Sequence, residues 1–264
     1  MVKIRYVTQK MTVLVLAAAL VVPLLGQKKA EKTVILTAAA ASLKNVYEKE
    51  LIPRFQKKYP AITVTGSYDS SGKLQTQIEN GLAADVFMSA AVKQMDALVK
   101  GGYVARKDVV NLLQNGLVLI KSAKGKTQVA DFRSIGKAAA IAIGDPKSVP
   151  AGDYAQQALT TLGVWQTIPQ EKLSYGTNVT EVLNWVAQGS AEVGIVYSTD
   201  AASKPKEITV ITVLENGVLR EPVIYPLAPL AKSAHPAEAR EFIQFLQSKE
   251  ALDIFQKYGF SPAQ

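Results

Sequence analysis

Short apolar runs rich in β-branched residues alternate along the chain with segments in which apolar residues recur every three to four positions. The clearest helical segment spaces Leu43, Tyr47, Leu51 and Phe55 four residues apart and must end before Pro60. We therefore predict strands and helices in alternation. The predicted strands are 33–36, 62–65, 85–88, 116–120, 139–143 and 193–196, and the further helices are 73–80, 92–100, 154–162, 180–188, 236–246 and 251–258.

Strands that alternate with helices of about ten residues are typical of β-α-β units, so the pattern predicts an α/β fold with mainly parallel sheets. The pattern occurs in two similar halves, and no linker peptide separates them. This arrangement favours two lobes joined by strands that cross between them. The candidates are 116–120 for the outward crossing and 208–213 or 223–225 for the return.

The N-terminus is unlike the rest of the chain. Three basic residues (Lys3, Arg5 and Lys10) precede an uncharged apolar run over 11–25, which predicts a secretory signal over 1–26. Cleavage after Gly26 removes the three bases and lowers the formal charge from +8 to +5. An uncleaved N-terminal anchor is the alternative, because no A-x-A site is visible.

Composition excludes several classes of site. The chain has no cysteine, so it has no disulfide, no thiolate nucleophile, no cysteine-ligated metal and no lipoprotein attachment point. The one histidine, His235, precedes Pro236 and is interpreted as a surface turn residue, which leaves nothing for a histidine triad. The basic residues are scattered without interleaved aromatic residues, so we expect no binding to nucleic acid.

One motif points to an enzyme. Ser70 and Lys73 match the S-x-x-K pattern of serine hydrolases that recognise penicillin. Those enzymes also need S-D-N and K-T-G elements, and neither tripeptide occurs in the chain. A serine hydrolase is therefore the weaker alternative.

Four segments share a different layout, in which an apolar strand leads through small polar residues into a helix. The starts of such helices expose unpaired N–H groups and the positive end of the helix dipole, which together favour anions. Each segment alone is also explained by helix capping. The segments are 37–42, 69–72, 149–152 and 177–179.

Six blocks of the sequence stand out together: AAAASL (38–43), SYDSSGKL (67–74), QIENGLAADVFMSA (77–90), IGDPKSVPAGDYAQQAL (143–159), GIVYSTDA (194–201) and FIQFLQSKEALDIFQKYGF (242–260). In combination these blocks resemble the periplasmic molybdate-binding proteins of ABC importers over essentially the whole mature length.

The resemblance implies a type II periplasmic-binding fold with the ligand held between two lobes. Lobe I would comprise 31–114 and 216–264, and lobe II 115–215. The resemblance also implies that a shell of neutral hydrogen-bond donors holds molybdate. It implies no other cofactor, and molybdenum would be present only inside the oxyanion. The residues of this donor shell would be Ser42, Ser71, Ala151, Val179 and Tyr197. Ser70 is the alternative to Ser71, and Asn178 is the alternative to Val179.

The function that follows is transport rather than catalysis. We expect a monomeric, soluble periplasmic protein that captures molybdate or tungstate and delivers it to a membrane ABC permease. A binder of another oxyanion, such as sulfate, is the alternative within the class. A donor-only shell would disfavour phosphate, which carries a proton near neutral pH, unless Asp69, Asp145 or Asp153 turned inward to accept it.

Overall fold

The computed structural model describes residues 1–3 and 32–263. The predicted cleavage point, and all but the first three residues of the predicted signal, lie outside the described residues. Lys32 and the residues after it form one compact unit. In the part of the chain that the structure describes, no helix has both the length and the apolar character needed to cross a membrane.

The first sheet has six strands in the order β11-β4-β10-β3-β1-β2. Strand β1 runs parallel to its neighbours β2 and β3, whereas β10 runs antiparallel to β3 and β4. Its strands are β1 (Thr33–Ala40), β2 (Ile62–Asp69), β3 (Val86–Met88), β4 (Val110–Asn115), β10 (Val223–Pro229) and β11 (Ser261–Pro262).

The second sheet has five strands in the order β7-β6-β8-β5-β9. Here β6 runs parallel to β7 and β8, whereas β5 runs antiparallel to β8 and β9. Its strands are β5 (Leu117–Ser122), β6 (Ile141–Gly144), β7 (Leu173–Gly176), β8 (Val193–Tyr197) and β9 (Ile208–Val213).

The chain changes sheets twice. It leaves the first sheet between β4 and β5, where Gly116 is the single residue between the two strands, and it returns over 214–222 between β9 and β10. The strands next to both crossings pair antiparallel with their neighbours. The prediction of mainly parallel sheets is corrected on this point, because both sheets are mixed. In each sheet the parallel strands are extended by the antiparallel strands next to the crossings. The lobe boundaries 31–114, 115–215 and 216–264 stay a prediction.

The helices cover the faces of both sheets. The first, α1, spans 41–58 and passes through 3₁₀, α and π turns before an α-helical end. Pro53 has no N–H to donate within this helix, and the π turn covers the residues before it. The others are α2 (Ser71–Glu79), α3 (Val92–Lys100), α4 (Pro150–Thr161), α5 (Val179–Gln188), α6 (Ser198–Ser203), α7 (Pro236–Leu246) and α8 (Lys249–Lys257).

The predicted periodicity of α1 is confirmed, because all four of its apolar positions are fully buried. Tyr47 and Phe55 pack edge-on against Phe242 of α7, with ring centroids 6.0 and 4.9 Å from it. These contacts hold α1 against the C-terminal helices and thereby fix the position of the turn at its start.

Candidate functional site

The register of the parallel strands brings the predicted segments together in pairs. Ala40 at the end of β1 lies beside Asp69 at the end of β2, and Gly144 at the end of β6 lies beside Gly176 at the end of β7. Each strand end leads into a helix start, with no more than five residues between them. The first sheet therefore presents the starts of α1 and α2 side by side, and the second presents those of α4 and α5.

Capping residues and predicted ligand residues are neighbours, but they differ in what they do. Ser70 caps α2, since its Oγ accepts the N–H of Lys73 at 3.4 Å. Asn178 caps α5, since its Oδ1 accepts the N–H of Glu181 at 3.0 Å. The side chains of Ser70 and Asn178, the alternatives to Ser71 and Val179 as ligand residues, thus cap their own helices. Ser71 and Val179, one position later, are the first residues of these helices.

Three backbone N–H groups in the first turns of these helices are unpaired. Among the residues that the structure describes, those of Ser71, Ala151 and Val179 have no hydrogen-bond acceptor. Ser71 and Ala151 are fully buried and Val179 is 4% exposed. A buried N–H without an acceptor is costly and rare in proteins, so three of them near helix starts indicate a place for a bound acceptor.

Ser71 and Tyr197 both contact the backbone of Ala90. The Oγ of Ser71 accepts the Ala90 N–H at 2.9 Å, which leaves its own proton available to a ligand. The Oη of Tyr197 donates to the Ala90 carbonyl at 3.4 Å, a distance at which a hydrogen bond is weak. Burial raises the pKa of Tyr197 well above its usual value, so this hydroxyl keeps its proton.

Ser42 is linked to Tyr197 through a second tyrosine, Tyr225. Its Oγ lies 2.9 Å from the Oη of Tyr225, and the Tyr225 ring packs edge-on against that of Tyr197 at 5.8 Å. Tyr225 precedes a register shift at Pro226, where the missing N–H interrupts the ladder between β10 and β4. Sequence reasoning missed Tyr225, because it lies 183 positions from Ser42 in a strand that reads as ordinary core.

Direct contacts join the two halves of the site. The N–H of Gly72 in α2 donates to the carbonyl of Ser148, just before α4, at 3.0 Å. The Nδ2 of Asn178 donates to Asp69 at 3.4 Å. The turn at the start of α1 also packs against α5. All four predicted segments therefore lie in one region between the sheets.

The three acidic residues near these segments have other partners. Asp69 accepts the N–H of Ser70 at 2.7 Å, Asp145 accepts the N–H of Lys147 at 3.0 Å, and Asp153 pairs with Lys93 at 2.7 Å. Each carboxylate is thus held by N–H donors of its own. Within the described residues no cluster of three or more acidic or histidine side chains could hold a metal ion. The arrangement is a set of neutral donors, which suits an anion with acceptor oxygens on several sides.

One acidic side chain contacts the backbone of Tyr197. Asp200 accepts the Tyr197 N–H at 3.3 Å, and burial raises its pKa to about 7. A carboxyl with this pKa is protonated below neutral pH, where it adds little negative charge beside an anion site. Asp200 also lines a cleft of about 360 Å³ that Ser42 shares.

Comparison with known proteins identifies the family. Residues 35–261 match the model for bacterial extracellular solute-binding proteins. The chain belongs to this family. Its members bind solutes for transport, so the prediction of a binding protein and not an enzyme is confirmed.

Two relatives and one solved structure show the extent of the similarity. YvgL of Bacillus subtilis, provisionally named as an ABC transporter substrate-binding lipoprotein, is 38% identical over 88% of each chain. The molybdate-binding protein ModA of Haemophilus influenzae is 33% identical over 93% of this solute-binding protein and 97% of its own length. The substrate-binding domain of a provisionally named molybdenum ABC transporter from Clostridium difficile is 33% identical, covers 88% of this chain and all of that one, and superimposes with a TM-score of 0.67. The predicted resemblance and the two-sheet α/β fold are confirmed.

Proposed function

We propose that this solute-binding protein captures molybdate between its two sheets and delivers it to a membrane ABC permease. The proposal is supported chiefly by one observation. Three buried, unpaired N–H groups and the hydroxyls of Ser42, Ser71 and Tyr197 lie in one region between the sheets. ModA of Haemophilus influenzae, which is named as molybdate-binding, supports the choice of ion.

The chemistry of the donors favours a fully deprotonated tetrahedral dianion. Every group that would face the ligand can donate a hydrogen bond, and the nearby carboxylates are held by other donors. Phosphate near neutral pH keeps a proton that would need an acceptor. Leaving one such group unpaired in a buried site costs about 1–3 kcal/mol, which is roughly ten- to a hundredfold in affinity.

The donors are divided between the two halves, and this division supports a closing mechanism. Ser42 and Ser71 follow strands of the first sheet, whereas Ala151 and Val179 follow strands of the second and Tyr197 ends β8. A ligand that contacts both halves favours the arrangement in which they touch, because only that arrangement offers all the contacts. The hydrogen bond between Gly72 and Ser148 is one contact that closing would form.

The finer parts of the proposal extend the same chemistry. Tungstate matches molybdate in charge and nearly in size, so it is expected to bind equally. We further propose that the protein is exported and acts as a monomer outside the cytoplasm. Membership of an extracellular solute-binding family and the name of YvgL support export and partnership with an ABC permease.

Calorimetric titration of the mature protein with a panel of oxyanions tests the proposal. The expected order of affinity is molybdate and tungstate together, then sulfate, which is smaller and loses contacts, then phosphate. Saturating molybdate at one hundred times Kd is also expected to raise the free energy of unfolding by about 2.7 kcal/mol. Tighter binding of sulfate would establish the alternative oxyanion, and a melting temperature indifferent to every oxyanion would remove the proposal.

A further inference from the structure

Asn115 is the last residue of β4 and stands directly before the point where the chain crosses between sheets. Its side chain makes three hydrogen bonds. The Oδ1 atom accepts the N–H of Gly116 at 2.9 Å, while Nδ2 donates to the Oγ1 of Thr199 at 2.8 Å and to the Oη of Tyr225 at 3.1 Å. Thr199 lies on α6, after a strand of the second sheet, so this one amide contacts both halves of the molecule.

These partners fix the direction of every proton in the chain of contacts. A backbone N–H can only donate, so the amide oxygen must face Gly116 and the amide nitrogen must face the two hydroxyls. The Tyr225 hydroxyl therefore accepts from Asn115, and its own proton is directed to the Oγ of Ser42, 2.9 Å away. Ser42 then accepts from Tyr225, and its proton is left for a group on its other side.

We propose that Asn115 is a positioning residue that makes Ser42 a hydrogen-bond donor toward the ligand and so sets the preference for fully deprotonated oxyanions. The inference rests on the proposed function, since it concerns how Ser42 meets a bound oxyanion. The role of Asn115 explains why Ser42 donates, because a serine hydroxyl can otherwise donate or accept equally well.

The surroundings keep this direction fixed. Tyr225 is fully buried, and burial raises the pKa of its phenol well above the usual value, so the proton it gives to Ser42 is always present. Thr199, the other partner of the amide nitrogen, is 6% exposed. The Asn115 amide is only half-buried, but its three hydrogen bonds together hold one hydrogen-bond pattern.

A carboxylate in place of the amide would reverse the pattern. In Asn115→Asp the side chain can only accept, so Tyr225 donates to it and must accept from Ser42. Ser42 would then present a lone pair to the ligand. That lone pair repels the oxygens of molybdate, but it can accept the proton of hydrogen phosphate. Both ions carry two negative charges at about pH 8, so the added charge at residue 115 weakens both equally and cancels in the ratio of their affinities.

The test is therefore the ratio of molybdate to phosphate affinity, measured by calorimetry at about pH 8 on the full mature protein. We expect Asn115→Asp to lower this ratio by about tenfold or more. Asn111→Asp is the matched control, since it adds the same charge at an exposed position of the same strand, and it is expected to leave the ratio unchanged. Asn115→Leu, which neither donates nor accepts, is expected to fall between the wild type and Asn115→Asp.

Each outcome bears on the inference. An equal loss of both affinities in Asn115→Asp would mean a merely structural role for Asn115 and would overturn it. If Asn115→Asp does not fold, an unchanged ratio in Asn115→Leu overturns it equally. A wild-type protein that binds no oxyanion would instead remove the proposed function, so the two failures are distinguishable.

Discussion

The half of the candidate site on the first sheet relies on side chains, whereas the half on the second sheet relies mainly on the backbone. Ser42 and Ser71 offer hydroxyls whose proton directions depend on named partners, Tyr225 and Ala90. Ala151 and Val179 offer N–H groups whose positions depend on where α4 and α5 begin. The first half is therefore sensitive to the chemistry of its side chains, and the second to the path of its backbone.

The largest effect is expected from Gly152→Ala, which acts within the second half. A Cβ at residue 152 would clash with the carbonyl oxygen of Gly144 at the end of β6, so the start of α4 would have to move. We expect the free energy of unfolding to fall by about 1–3 kcal/mol or more, with oxyanion binding lost as the Ala151 N–H shifts. Urea denaturation measures the first and calorimetry the second.

Gly136→Ala is the matched control for that experiment. A Cβ there meets nothing within 4 Å, so stability and binding should match the wild type. If Gly152→Ala were as stable as this control and bound molybdate as well, the close approach of α4 to β6 would not position the backbone donors.

Gly72→Ala is expected to separate binding from stability, because its clash lies between the halves. A Cβ at residue 72 would clash with the carbonyl oxygen of Ser148, so the halves could not meet as they do here. The residue lies in the first turn of α2, where alanine favours the helix by up to about 1 kcal/mol.

We therefore expect Gly72→Ala to keep the melting temperature of the ligand-free protein while molybdate affinity falls by about tenfold or more. Ser148→Ala is its control, since the contact uses the Ser148 carbonyl and not its side chain, and wild-type affinity is expected. Small-angle scattering should show ligand-induced compaction in the wild type and not in Gly72→Ala. Full affinity in Gly72→Ala would show that the contact between the halves is not needed for binding.

Substitutions at the ligand residues themselves are expected to reveal the contrast between the halves. Ser42→Ala and Ser71→Ala should each weaken molybdate binding by about 1.5–3 kcal/mol, the range for a hydrogen bond to a charged group. Val179→Ala keeps its N–H, so its affinity should stay within about twofold of the wild type although a buried side chain is shortened. Calorimetry at one pH compares all three, and equal losses at Ser42 and Val179 would contradict the division of roles.

The smallest effect is expected at the rim of the cleft. Lys93 of α3 and Asp153 of α4 form an ion pair between the halves at 2.7 Å, but the Lys93 side chain is 65% exposed. Exposed pairs contribute about 0–1 kcal/mol and weaken with salt. Lys93→Ala should therefore change affinity by only a few-fold in low salt and less in high salt. A large, salt-independent loss would place Lys93 in the site itself.

Much of the fold was predictable because its signals are local. The helices over 92–100 and 236–246 follow apolar periodicity and have the predicted bounds. Strand β7 was missed, since only its first and last residues are buried and no apolar run marks it. The mixed sheets could not be read from local patterns either, because the direction of a strand depends on which neighbours it pairs with.

The candidate site was predictable only in part, for a related reason. Capping signals located the helix starts, but they could not separate the capping residues Ser70 and Asn178 from the neighbours that present free donors. The contacts that orient Ser42 come from residues far away in sequence, with Asn115 and Tyr225 separated by 110 positions. No local pattern marks an asparagine at a strand end as the group that directs a proton elsewhere.

The central claim is that N–H groups from both halves bind the same ion. The most direct test follows the amide resonances of Ser71, Ala151 and Val179 by NMR during titration with molybdate. All three amide protons are expected to shift downfield together and to saturate at one equivalent, because each donates to a charged oxygen. Shifts confined to one half, or no shift at these three residues while molybdate binds, would contradict it.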